Sequence, residues 1–81
     1  MKSSIKKNEI DLDVRGLECP LPVLKARKLS QSLKKGTIVK VICTDPLAKM
    51  DFEHYCEESG NIFIGCEKIK ENYIIRYKYI K

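Results

Sequence analysis

Hydrophobic and polar positions alternate from the start of the ordered pattern. Ile10, Leu12 and Val14 are separated by Asp11 and Asp13, which predicts a strand over residues 10–14 with one face buried. Arg15-Gly16 marks a turn. The period then changes: Val23, Ala26, Leu29 and Leu33, with Leu24 nearby, fall on one side of a helix running from Pro20 to about Lys34. Lys34 and Lys35 suit the negative end of that helix, and Gly36 is a natural left-handed stop. Residues 37–43 are rich in β-branched side chains and apolar on both faces apart from Lys40, which predicts a central strand buried on two sides. Asp45-Pro46 reads as an N-cap and first helical residue. The second helix runs to about Ser59 with Gly60 as its stop, and Leu47, Met50, Tyr55 and Cys56 are its candidates for burial. Residues 61–69 and 73–80 form a terminal hairpin turning at Lys70-Glu71-Asn72. The order β-α-β-α-β-β predicts a two-layer α/β (α+β) sandwich: a four-stranded mixed sheet with both helices on one face and a right-handed, parallel first β-α-β unit.

Eighty-one residues leave room for one small core, so residues 1–81 read as a single domain, with residues 1–8 a polar, lysine-bearing loose tail. No apolar run is long enough for a membrane helix or a signal segment, so a cytoplasmic protein with no membrane partner is expected. The net charge of +5 favours acidic partners without choosing protein or nucleic acid. No aromatic-interleaved basic ribbon supports direct nucleic-acid reading, which is therefore not expected. The four cysteines, Cys19, Cys43, Cys56 and Cys66, form no Cys-x-x-Cys pair, and with His54 as the single histidine no metal-site spacing arises. No cofactor is implied.

The candidate chemistry lies at Cys19-Pro20-Leu21-Pro22. Pro20 belongs at or beside the first helical position, where a missing N–H is harmless, so Cys19 falls at the N-cap or next to it. A thiol at the positive end of a helix dipole is biased toward thiolate, the form that attacks sulfur. Pro20 and Pro22 remove two early N–H donors, leaving those of Leu21 and Val23, and they stiffen the loop. A small buried cysteine before an ordinary helix is the competing reading.

The run Asp13-Val14-Arg15-Gly16-Leu17-Glu18-Cys19-Pro20-Leu21-Pro22-Val23-Leu24-Lys25-Ala26-Arg27-Lys28 resembles the TusA (SirA-like) family of small sulfur carriers. Thr44-Asp45-Pro46, Asp51-Phe52, Tyr55-Cys56 and Gly60 resemble its middle segment, in matching order and spacing. The resemblance implies the same fold and a sulfurtransferase-type carrier that holds a persulfide on Cys19. Its partners would be a cysteine desulfurase or rhodanese-type donor and a downstream acceptor protein, plausibly on the way to tRNA 2-thiouridine. Arg27 and Asp45 fall where the family is expected to meet its donor. Exchange between sulfurs needs no obligatory general base, so the distance of His54 in sequence is no objection.

Around Cys19, Arg15 is expected to stabilise the sulfur anion, to hold the loop by bonding carbonyls, or to be an exposed loop residue, and Glu18 to oppose the anion. Gly16, Pro20 and Pro22 shape the loop. Lys25, Arg27 and Lys28 form either a basic docking collar or a solvated helix face. Asp45 has a sufficient role as N-cap. Cys43, Cys56 and Cys66 read as structural, although any of them could resolve a persulfide in a redox regulator. Tyr73, Tyr77 and Tyr79 read as a packed face. The other function classes left open are an RNA- or protein-binding regulatory module and a thiol redox regulator.

Overall fold

A computed structural model describes residues 9–80, so the reading of residues 1–8 as a tail lies outside the described residues. The elements run β1 (Glu9–Asp13), α1 (Leu21–Ser30), β2 (Ile38–Cys43), α2 (Ala48–Ser59), β3 (Ile62–Ile69) and β4 (Asn72–Lys78). They form one mixed sheet of order β1-β2-β4-β3, in which β1 and β2 are parallel and the other pairings antiparallel. The predicted mixed sheet and two helices are what the chain forms.

Register decides which residues meet the helices. Val39, Val41 and Cys43 of β2 lie beside Tyr77, Ile75 and Tyr73 of β4, all on one face. Ile10 and Leu12 of β1 continue that face. Onto it pack Val23 and Ala26 of α1 and Ala48, Phe52, Tyr55 and Cys56 of α2. The rings of Phe52, Tyr55 and Tyr77 sit 5.6–6.3 Å apart at their centroids, within the range of favourable aromatic pairs. Tyr77 is fully buried, and its hydroxyl is paired with Ser30 Oγ at 2.7 Å. Tyr77 is thus part of the core, as the strand pattern indicates.

Several local expectations change. Helix α1 ends at Ser30, four residues before the expected Lys34, because the chain tightens: Gln31, Ser32 and Leu33 donate three residues back, to Lys28, Leu29 and Ser30. Leu33 stays packed against the core in spite of that. Strand β2 is central, but only one of its faces is fully buried. Ile38, Lys40 and Ile42 point to a side that the described residues leave uncovered, where they are half-buried. On that side Arg76 reaches Glu9 at 3.4 Å and Glu67 at 3.8 Å. The buried stripe of α2 contains Phe52 rather than Leu47 and Met50, which are 54% and 56% exposed. Gly60 ends α2 as expected, at a φ of 85° that only glycine takes without cost, and its N–H donates to Cys56 O at 3.0 Å. The β3–β4 turn needs only Lys70 and Glu71, and Asn72 already belongs to β4. No helix among the described residues is long and apolar enough to cross a membrane.

Candidate functional site

The parallel β1–β2 pair brings the end of β1 beside the end of β2, so the loops leaving both strands meet. Val14 N–H donates to Ile42 O at 2.8 Å and extends the pairing to the start of the first loop. Gly16, at φ 84°, turns the chain and donates its N–H to Thr44 Oγ1 at 3.0 Å. A side chain at Gly16 would find open space, so the backbone angle rather than crowding calls for glycine there. The next tie is Asp45: Oδ1 accepts the Leu47 N–H at 2.9 Å and Oδ2 accepts the Cys19 N–H at 2.5 Å. One carboxylate thus caps the turn before α2 and holds the Cys19 backbone.

Pro46 and Leu47 form that turn, and α2 begins only at Ala48, whose N–H donates to Asp45 O at 3.1 Å. The expected start of α2 at Pro46 is therefore two residues early. Cys19 also sits one residue farther out than the N-cap. Pro20 occupies the position before α1, Leu21 is the first helical residue and Pro22 the second. The Leu21 N–H donates to Glu18 O at 2.8 Å, so that early donor is spent within the loop. The Cys19–Pro20 peptide is cis.

Cys19 is exposed and opens onto a cavity of about 390 Å³ lined by Gly16, Leu17, Glu18, Thr44, Asp45, Pro46 and Leu47. The other cysteines differ in setting: Cys43 and Cys56 are buried, and Cys66 is half-buried on β3. Burial pushes the Cys43 and Cys56 thiols up to about 11. The Cys19 thiol is also pushed up to about 11, for a different reason. The Asp51 carboxylate raises it most, partial desolvation adds to that, and the negative charge of Asp45 comes last. The thiolate bias expected from the dipole of α1 is thus reversed. Two carboxylates carried by a second helix and the turn before it outweigh the dipole of the first.

Arg15 does not offset them. Its guanidinium grips Asp13 with two bonds, Nε to Oδ1 at 2.9 Å and Nη2 to Oδ2 at 2.7 Å, and both side chains are exposed. This holds the Asp13 carboxyl below the usual carboxylate range. The partner of Arg15 in the loop is thus a carboxylate two residues back. Lys25, Arg27 and Lys28 are exposed, but Arg27 and Lys28 occupy the last turn of α1, at the end away from Cys19. Arg27 lies over the Tyr55 ring, 5.3 Å from its centroid. Arg27 also lines a groove with Pro20 and Asp51. The side chains that crowd the Cys19 end are acidic and apolar.

Sequence reading missed both kinds. Asp51 was noted only within the family-like middle segment. It lies in the first turn of α2, and a helix-start acid is an ordinary dipole partner that gives no sign of a cysteine beside it. Leu21, Leu24, Leu47 and Met50 are about half exposed on the first turns of the two helices and the turn before α2. Of these, Leu47 lines the same cavity as Cys19. The pattern along the chain gives no sign of this, since it offers Leu47 and Met50 to the core.

Comparison with known proteins adds four findings. Residues 10–78 match the family described as "Sulfurtransferase TusA". The chain is 33% identical over 67 residues to a sulfur carrier protein TusA of Pseudomonas entomophila, covering 83% of this chain and 84% of that one. It is 41% identical over 51 residues to a sulfur carrier protein TusA of Allochromatium vinosum, covering 63% of this chain and 67% of that one. A crystal structure of a SirA-like protein from Desulfitobacterium hafniense superposes with a TM-score of 0.71 at 22% identity, over 88% of this chain and 97% of that chain. That likeness concerns the fold alone.

Proposed function

The chain belongs to the TusA sulfurtransferase family, and from that premise we propose that it carries sulfane sulfur as a persulfide on Cys19. The observation that carries this reading is the contrast among the cysteines. Cys19 alone is exposed, on a loop pinned by Asp45 and open to a cavity, whereas the others are buried or half-buried.

The chemistry is an exchange between sulfurs. The Cys19 thiolate attacks the terminal sulfur of a donor's R–S–SH. A new S–S bond forms at Cys19, the donor's S–S bond breaks, and the donor leaves as a thiolate that takes up the proton Cys19 gave up. An acceptor thiolate then attacks the outer sulfur and Cys19 departs as thiolate. No net oxidation occurs and no cofactor enters. The donor is a cysteine desulfurase or rhodanese-type protein, the acceptor another protein, and tRNA 2-thiouridine a plausible end product.

Docking uses the exposed Leu21, Leu24, Leu47 and Met50, which suit a partner that must exclude water from a sulfur transfer. Lys25, Arg27 and Lys28 flank that surface along α1. Asp45 acts through the loop it holds, since both of its oxygens already accept protein N–H groups. Gly16, Pro20 and Pro22 keep the loop in shape. As proposed for residues 1–81, one domain does all of this.

Intact mass after incubation with a cysteine desulfurase and cysteine, without reductant, tests the proposal. The expected result is a reductant-labile adduct of one sulfur on the wild type and none on Cys19→Ser. No adduct from either a desulfurase or a rhodanese with thiosulfate overturns it in favour of a non-catalytic binding module.

A further inference from the structure

The cavity beside Cys19 carries a charge of one sign. Of the side chains that line it with Cys19, Leu17, Pro46 and Leu47 are apolar, and Glu18 and Asp45 are acidic. No lysine, arginine or histidine is among them. Thr44 supplies the one hydroxyl, and its oxygen already accepts the Gly16 N–H. At about 390 Å³ the space lies within the range of small-molecule sites.

The two carboxylates differ. Asp45 is fixed, since its oxygens accept the N–H groups of Cys19 and Leu47. Glu18 is exposed, and its side chain makes no hydrogen bond or ion pair among the described residues. Basic groups near it in the fold are spent elsewhere. Arg15 grips Asp13 with its guanidinium, and Lys49 of α2 pairs with Glu53 at 3.5 Å. The start of α1 is a poor anion site as well. Pro20 and Pro22 have no N–H to give, and the Leu21 N–H is taken by Glu18 O. The whole chain carries +5, so this acidity is local.

We propose that the cavity is a charge-selective binding site for thiols and persulfides: it admits those whose groups near sulfur are cationic or neutral and turns away anionic ones, with Glu18 as the specificity-determining residue. This rests on the carrier reading and names the substrate class of its site. A cleft of one sign concentrates species of opposite charge and depletes those of like charge. The compounds it favours carry an ammonium group beside the thiol, and those it disfavours carry a carboxylate or sulfonate. In the transfer, an incoming R–S⁻ attacks the outer sulfur of Cys19–S–SH and the S–S bond at Cys19 breaks. The products are R–S–SH and the Cys19 thiolate, with no net oxidation. The charge on R sets how much of that thiolate the cavity holds.

The test is the reaction of Cys19 with methanethiosulfonate reagents bearing a trimethylammonium group, a sulfonate or a plain methyl group, read on the Cys19 peptide by mass spectrometry. The Cys19 thiolate attacks the sulfenyl sulfur and methanesulfinate leaves. Dividing each rate by that of the neutral methyl reagent cancels the thiolate fraction. The wild-type cation-to-anion ratio is expected to exceed that of free mercaptoethanol about fivefold, the size of one or two solvated charges acting on reagents of opposite sign. Salt at about 0.5 M should bring it down toward the free-thiol value. Glu18→Gln should lower the ratio about threefold, and Glu18→Lys should take it below that of the free thiol. A wild-type ratio equal to the free thiol's, or a ratio that Glu18→Lys leaves unchanged, overturns the proposal. In a second arm, the Cys19 persulfide is discharged by cysteamine and by mercaptopropionate, each rate divided by its thiolate concentration. Wild type should favour cysteamine and Glu18→Lys should lose that preference; equal rates in both proteins overturn the proposal. The reagent ratios need no persulfide. A reagent preference in a protein that no donor can charge would sink the carrier reading and leave the cavity's selectivity intact.

Discussion

At the residue scale, one carboxylate organises the reactive loop. Asp45 satisfies the Leu47 N–H ahead of α2 and the Cys19 N–H across the site, so its loss removes a cap and a loop anchor together. Asp45→Ala should lower stability by about 1–2 kcal/mol, read as a fall in the urea midpoint at unchanged slope. Its charge is the last of the influences on the Cys19 thiol. The same variant should therefore shift the pH profile of Cys19 alkylation by iodoacetamide down by less than Asp51→Asn does. The N-cap role of Asp45 was legible from Asp-Pro alone. Its second bond was not, because it joins residues 26 apart in sequence.

At the scale of elements, α1 is tied to the sheet by a buried polar pair. Ser30 closes α1, and its Oγ meets Tyr77 Oη of β4 at 2.7 Å, with Ala26 O a further acceptor at 3.5 Å. Removing one partner strands the other in the core, at a cost of about 1–3 kcal/mol for Tyr77→Phe. Adding Ser30→Ala to that variant should cost little more, and a double-mutant cycle by urea denaturation measures the difference. The elements themselves were largely readable: alternation marked β1, β-branched density marked β2, and proline and glycine marked the helix boundaries. The errors cluster where tertiary contacts choose among residues of equal hydrophobicity. Leu47 and Met50 looked as suitable for the core as Phe52. The sheet face offered Tyr77 as a ring partner, and Phe52 is the residue that stacks on it.

At the scale of the whole molecule, the site and the core set the response to pH. Cys43 and Cys56 have folded-state values near 11 against ordinary values of 9.0, raised by burial. A group raised on folding contributes stability that is fully present below its unfolded value and lost as pH rises through the folded one. The urea midpoint should therefore hold to about pH 9 and fall between pH 9 and 11. The buried phenol of Tyr77 is also raised, and it extends the loss to higher pH. Cys56→Ala should be less stable at pH 8 yet show a shallower fall over that window, which equilibrium unfolding at pH 8 and 10.5 measures. The net charge of +5 does not describe the reactive end, where Asp45 and Asp51 dominate, while Arg27 and Lys28 complete the far end of α1.

The sequence by itself determined the order of elements, the mixed sheet with two helices and the place of the Cys19 loop between the first strand and the first helix. These follow from periodicity, turn chemistry and a proline-bounded loop, all of them local properties. Tertiary structure decided the electrostatic character of that cysteine. The dipole of α1 favours a thiolate at Cys19, but the parallel β1–β2 pairing places the start of α2 beside it, with Asp51 and Asp45 as its near charges. Interaction energy between charges depends on separation in space. No reading of spacing along the chain could assign the sign of the field at a sulfur that residues 26 and 32 positions away create.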